Sequence, residues 1–229
     1  GAHLGIAVRG KEGCQAVQVS DVAISQFRFL VPLLLCHGRR AYRRIAVFLC
    51  YYLYKNVALA IGDVVWMHQD QYRGRIAFPE YLSVNYNFLF TSWHILFVLG
   101  FDEDVPDDVA VSTPSLYLVG PSRSLFNIKV FTGWMIIAVY HGIIAWIIPN
   151  LWFGGDVYDK KQPGPFWVGS CASFTIIVFI ACLKLLLSSV GPLKFRTSVL
   201  PTLAALLMYV FVLVMLGYTP MGISLQPNI

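Results

Sequence analysis

Charge is scarce in this sequence. Asp, Glu, Lys and Arg make up 13% of its 229 residues, against 57% apolar residues. A soluble domain typically carries about 25% charged residues, so a soluble globular protein is excluded and an integral membrane protein is indicated. Cysteine is also sparse. Cys14, Cys36, Cys50, Cys171 and Cys182 fall at no metal-ligand spacing, and the topology derived below puts none in an extracytoplasmic loop, so neither a metal site nor a disulfide is expected. There is no Asn-x-Ser/Thr glycosylation acceptor, no internal repeat, no low-complexity tract and no charged-then-apolar order of a secretory signal at the start. With no initiator Met, the first residues read as the interior of a longer protein. The net charge of +5 calls for no nucleic-acid partner, because the basic residues gather where the cytoplasmic face of a membrane protein puts them.

What the sequence does have is long apolar runs, and the most informative is Ile45–Met67 (IAVFLCYYLYKNVALAIGDVVWM). As an α-helix it rises roughly 34 Å, enough to cross a ~30 Å hydrocarbon core. Arg39, Arg40, Arg43 and Arg44 stand just before it, and Lys55 falls near its middle. A charge at that depth costs about 2.5–3.5 kcal/mol on insertion scales. Asp63, the only acid in the run, lies roughly 12 Å further along the axis, too far for a close ion pair. Lys55 therefore needs a water-filled cavity or polar groups on a neighbouring helix. Leu82–Phe101 offers such groups: Asn87, Thr91 and His94 recur at i, i+4 and i+7, one face of a helix, with Ser83 a turn above. A polar stripe within a membrane normally faces protein, so the two runs read as partners around a polar site. A purely structural Lys55, holding helices together by hydrogen bonds, is the plainer alternative, although Ser, Thr and Asn are the usual residues for that task.

Around this pair, the sequence predicts a mainly α, polytopic membrane helix bundle of about five spans, near 45–67, 82–101, 130–148, 166–187 and 198–216. Residues 1–26 read as the end of a cytosolic α/β domain: strand-like Leu4–Val8, a turn, a helix through GCQAVQVS and a second strand at Asp21–Ile24. Residues 27–44 form a basic, membrane-proximal connector. Phe27–Leu35 is too short to span and is read as interrupted by Pro32. The third span is expected to end at Pro149-Asn150, Lys184 to snorkel from the end of the fourth, and Pro201 to sit in the first turn of the fifth, where proline is tolerated. Trp66 and Trp152 are placed as interface anchors. His68 and His141 read as structural.

Basic residues give the orientation. Seven precede the first span, and Arg123, Lys129, Lys184, Lys194 and Arg196 share their side. Only Arg73, Arg75, Lys160 and Lys161 fall on the other. The N-terminal piece is thereby cytosolic, as is the acidic run Phe101–Asp108.

Several blocks carry a resemblance. GIAVRGKEGCQAVQVSDVAISQFRFL, LLLCHGRRAYRR, YYLYKN, YNFLFTSWHILFVLGFDEDV and LFNIKVFTGWMIIAVYHGIIAWIIP resemble the P-type ATPases of the lipid-flippase branch, type IV, over roughly Gly1–Leu187. The resemblance implies that residues 1–26 close a haloacid-dehalogenase-like phosphorylation domain. It also implies that the aspartyl-phosphate site and the GDGxND motif for Mg²⁺ lie upstream, so that this chain holds no catalytic residue and is inactive alone. ATP and Mg²⁺ are then cofactors of the full-length enzyme, and phospholipid moved from the outer to the cytosolic leaflet is the substrate. Lys55, followed by Asn56, matches the family's fifth-span lysine, and Asn87 matches its sixth-span asparagine. With Thr91 and His94 these form the expected substrate site. Asp102 and Asp104 are expected to couple the bundle to cytosolic domains. A glycosylated two-span β-subunit is an implied partner, at loops His68–Glu80 and Pro149–Pro165, and the plasma membrane, Golgi or endosomes are the implied locations. One departure stands out. Trp93-His94 occupies the place where relatives have Leu-Pro, so the second span is expected to run unbroken.

The residues themselves favour a lipid head group. A cation pump strips its ion with several oxygen ligands, whereas these spans place a lysine where carboxylates would be wanted. A fixed cation with hydrogen-bonding neighbours suits an anionic or zwitterionic group. The alternatives are the membrane half of a cation-transporting P-type ATPase, or a degenerate regulatory module fused to another catalytic domain.

Overall fold

A computed structural model describes residues 4–10, 15–153, 164–189 and 198–218. The chain divides into two compact units, one of Gly1–Arg43 with Val105–Leu125, the other of Arg44–Asp104 with Phe126–Ile229. The stretch Val105–Leu125 thus groups with the N-terminal residues rather than with the remainder of 45–229.

In the first unit, strands β1 (Ile6–Val8) and β2 (Val22–Ile24) pair in parallel, with Ile6 opposite Val22. Parallel strands need a crossover, and helix α1 (Gln15–Val19) lies in it. Asp21 fastens the return, accepting the Gly5 N–H at 2.8 Å and donating its own N–H to Gly5 O at 3.0 Å. The expected strand–helix–strand order is present, and residues 11–14 of the expected turn lie outside the described residues. The expected interruption at Pro32 is absent. A 3₁₀ turn (Phe27–Phe29), helix α2 (Leu30–Pro32) and a π-helical turn (Leu33–Gly38) lead without a gap into helix α3 (Arg39–Gln69). Pro32 lies in the opening turns, where a missing N–H forfeits little.

Helices α4 (Glu80–Asn85), α5 (Trp93–Phe101) and α6 (Asp107–Ser112) follow. Asp107 and Asp108 occupy the first turn of α6, where negative charge complements the helix dipole. The Asp107 carboxylate pairs with Arg40 and its carbonyl accepts the Cys36 thiol at 3.6 Å.

The second unit is a helix bundle completed by α7 (Ile128–Phe153), α8 (Gly164–Ser188) and α9 (Leu200–Tyr218). Among the described residues, four helical segments are long and apolar enough to cross a membrane: Phe27–Gln69, Glu80–Phe101, Ile128–Trp152 and Phe166–Ser188. Leu200–Met215 is a shorter apolar helix, and Pro201 stands in its first turn as expected. The third span does not end at Pro149. Helix α7 runs through that residue to Phe153, and the Asn150 amide, donating to Trp146 O (2.7 Å) and Ser173 Oγ (3.1 Å), keeps the turn tied where proline removes an N–H.

Aromatic rings fill the core: Trp66, Phe78, Tyr86, Phe90, Trp146, Phe174 and Tyr209. Trp66, expected at an interface, is only 3% exposed. Its indole N–H donates to Arg75 O at 3.0 Å, so the whole ring is buried without stranding a donor. Arg75 in turn pairs with the buried Asp70 at 2.5 Å, which folds the 70–79 connection back onto the bundle. Trp152, at the end of the third apolar segment, is 84% exposed. Lys160, Lys161, Lys194, Arg196 and most of the 149–165 loop lie outside the described residues.

Candidate functional site

Helix α3 carries Lys55 into the bundle with no part of its surface exposed. The ammonium is solvated by hydroxyls: Nζ donates to Thr91 Oγ1 at 2.8 Å and to Ser92 Oγ at 3.1 Å. It also lies over the rings of Tyr52 (5.4 Å to the centroid) and Tyr86 (5.9 Å). A hydrogen bond from a charged donor contributes about 1.5–3 kcal/mol. Two of them match in size the roughly 2.5–3.5 kcal/mol cost of placing the charge at mid-membrane.

Both hydroxyls become available because the second span is broken. It runs as α4, then a π-helical turn (Tyr86–Phe90), then Thr91 and Ser92 as a turn, then α5. The expectation of an unbroken helix, drawn from Trp93-His94 in place of Leu-Pro, is overturned. Proline is one way to break a helix and a π-turn is another. The Thr91 hydroxyl donates to Tyr86 O at 2.6 Å, a side-chain closure across the π-turn that uses a spare lone pair of that carbonyl. Ser92 sits at the N-cap of α5 yet makes no side-chain capping bond; its oxygen faces Lys55 instead.

The π-turn also resets the helical face. Thr91 and His94 are fully buried, whereas Asn87 is exposed and Asn56 half-buried. The i, i+4, i+7 stripe is therefore split: Thr91 meets Lys55, and Asn87 does not share its surroundings. His94 Nε2 lies 3.1 Å from Tyr51 Oη, while its Nδ1 is buried with no hydrogen-bond partner. Asp102 is buried, with its backbone carbonyl accepting Arg44 Nε at 2.8 Å, and Asp104 is half-buried. Three participants were not singled out from sequence: Ser92, Tyr51 and Tyr86. The run of tyrosines in YYLYKN was the available signal, since a tyrosine hydroxyl within a membrane needs a partner.

A second lysine is treated differently. Lys184, expected to snorkel, is half-buried on α8 with its Nζ 4.4 Å from the Trp134 ring centroid and 5.8 Å from that of Tyr54. Tyr54 Oη lies 2.5 Å from His141 Nδ1.

Residues 17–227 match the family described as phospholipid-translocating P-type ATPase, C-terminal. The chain is 37% identical over 147 residues to human phospholipid-transporting ATPase IC, covering 64% of this chain and 11% of that protein. It is 34% identical over 146 residues to phospholipid-transporting ATPase DRS2 of Saccharomyces cerevisiae, again 64% and 11%. It is 29% identical over 188 residues to probable phospholipid-transporting ATPase 5 of Arabidopsis thaliana, covering 82% of this chain and 15% of that protein. The matched region is thus between 11% and 15% of the length of these relatives.

Proposed function

The chain belongs to the phospholipid-translocating P-type ATPase C-terminal family, and from that premise we propose that it supplies the membrane half of an ATP-driven pump moving phospholipid from the outer to the cytosolic leaflet. The observation that supports this most is the buried Lys55 ammonium beside the Thr91 and Ser92 hydroxyls at a broken span. A fixed cation with hydroxyl neighbours in a water-poor setting favours a phosphate-bearing head group over a metal cation, because it repels the second and attracts the first. ATP and Mg²⁺ drive the cycle from parts of the protein that this chain does not match. Among the described residues no three His, Cys, Asp or Glu side chains come together to hold a metal ion.

Asn87 is the residue we assign to head-group choice outside the Lys55 cluster. A neutral amide both donates and accepts, and so reads a polar group as an apolar side chain does not. Asn56 and His94 line the same reading as auxiliary contacts, and Asp102 and Asp104 as the link to the cytosolic domains. A glycosylated two-span partner would meet the 68–80 connection, where Tyr72 is 72% exposed. With the N-terminal unit in the cytosol, a cysteine at Tyr72 should react with an impermeant reagent from outside and one at Asp108 only from the cytosolic side.

The decisive test uses the full-length protein. Its phosphorylated intermediate should break down faster when phospholipid is added, and Asn87→Ala should reorder the response to different head groups several-fold while phosphorylation persists. Dephosphorylation that answers to a metal cation and ignores every phospholipid would overturn the reading, as would an unchanged head-group ranking for the role of Asn87.

A further inference from the structure

We propose that Thr91 and Tyr86 are positioning residues that lock Lys55 against the broken span, so that this lysine holds the break in shape and reaches a substrate only when the lock opens. The inference rests on the proposed function for its place in transport, but the lock itself is a matter of hydrogen bonding.

Four contacts form a closed circuit. Lys55 Nζ donates to Thr91 Oγ1 (2.8 Å), and Thr91 Oγ1 donates its own proton to Tyr86 O (2.6 Å). The Tyr86 hydroxyl then donates back to the main-chain carbonyl of Lys55 (3.0 Å), and the Tyr86 ring lies beneath the ammonium (5.9 Å). Lys55 is therefore bound through both its side chain and its backbone, and Tyr86 likewise. Thr91 is the one residue that touches both. Each group uses a capacity it has to spare: a hydroxyl both donates and accepts, and a helical carbonyl has a second lone pair.

The electrostatics of the break agree with this placement. The span is cut between Phe90, which ends the first half, and Trp93, which begins α5. The end of a helix presents unpaired carbonyls and favours a cation, while the beginning of the next disfavours one. Lys55 is held by Thr91, on the carbonyl side, at the shorter of its two distances, and it takes Ser92 away from its capping position. Two of the three ammonium protons are thereby committed to protein hydroxyls. A lysine so engaged is not a free ligand, and a head group must compete with Thr91 and Ser92 to reach it. Release of the lock would free the cation, the Thr91 hydroxyl and the Tyr86 carbonyl together, which makes the break a two-state element that substrate can bias.

The test is amide hydrogen exchange across residues 86–92 in the full-length protein in lipid nanodiscs, run beside lipid-stimulated dephosphorylation. Thr91→Val removes the shared hydroxyl with little change of volume and should accelerate exchange in this stretch roughly tenfold, the scale of one hydrogen bond from a charged donor. Lys55→Met should do the same, and the double variant should be no faster than either single one, because both open the same circuit. Thr91→Ser should restore slow exchange. Tyr86→Phe, which deletes one hydroxyl and keeps the ring, guards against variants that fail to fold and should show a smaller acceleration. Unchanged exchange in Lys55→Met, or accelerations that multiply in the double variant, would overturn the lock. Slow parental exchange, opened by these variants in a protein that ignores phospholipid, would leave the lock standing and overturn the transport reading instead.

Discussion

Helix α3 presents two faces to its neighbours, and they solve the same problem in different ways. One carries Lys55 to the broken second span, where hydroxyls at a π-turn solvate it. The other carries Tyr54, Ala58 and Ile61 to the unbroken helix α7, where Gly142 comes so close that an added Cβ would lie 2.6 Å from Ala58 O. On that second face the cation, Lys184, comes from α8 and is met by aromatic rings rather than hydroxyls. The difference teaches where movement is possible. Hydrogen bonds to side-chain hydroxyls at a helix break are exchangeable, so a head group or water can take them over. Close backbone approach at a glycine is not exchangeable: it allows one distance and penalises others. On the proposed lock, the α3–α7 face would act as a fixed wall and the face toward the broken span as the part that opens.

The largest effect is expected from removing the cation of the exchangeable face. Lys55→Met in the full-length protein should lower lipid-stimulated dephosphorylation at least about tenfold while leaving formation of the phosphorylated intermediate largely intact. Membrane insertion should not suffer, because methionine is cheaper than lysine at mid-membrane. Normal lipid-stimulated turnover in a folded Lys55→Met protein would erase the distinction between the two faces.

A smaller but still clear effect is expected at the wall. Gly142→Ala forces a methyl group against Ala58 O and Ile61 Cβ, the latter only 2.8 Å from the added atom. Overpacking of this kind costs about 1–3 kcal/mol, measurable as a lowered thermal midpoint of the detergent-solubilised protein. If the face is a wall, the loss should appear as stability with the head-group ranking kept. A Gly142→Ala protein of normal stability and altered lipid ranking would move the opening to the other side of α3.

Much of this contrast could be read in the sequence, and the part that could not has identifiable causes. Composition and run length gave the bundle, and a charged residue at the centre of a run gave Lys55 and its need for polar company. Thr91 followed from its spacing. Ser92 did not, because it belongs to no stripe of period 3.6; only the π-turn at Tyr86–Phe90 brings it alongside Thr91. The same turn moved Asn87 away from Lys55, which a regular helix would not have done. The break carries no proline to mark it in the sequence, and Pro149 shows the converse, a proline that leaves α7 continuous. The burial of Trp66 is not legible either, because position near a span's end says nothing about Arg75, which supplies the carbonyl for its indole N–H nine residues later.

The smallest effect is expected from the second lysine. Lys184 has the same charge as Lys55 and also lies within an apolar run, so counting residues alone would assign the two equal weight. Its surroundings do not. It is half-buried where Lys55 is fully enclosed, and its ammonium meets the faces of Trp134 and Tyr54 rather than hydrogen-bond acceptors at a break. A cation over an aromatic face contributes about 0.5–1 kcal/mol when solvent can still reach it. Water can take over much of what the rings provide, and methionine can fill the same volume while keeping contact with the indole. Lys184→Met should therefore cost no more than about 1 kcal/mol of stability, and most of that cost should vanish when Trp134 has already been replaced by leucine. A double-mutant cycle on thermal unfolding reads that coupling directly. Should Lys184→Met cost as much as Gly142→Ala, the rings would be holding the charge as firmly as the hydroxyls hold Lys55, and the aromatic face would have to be counted among the parts of the bundle that a polar group can open.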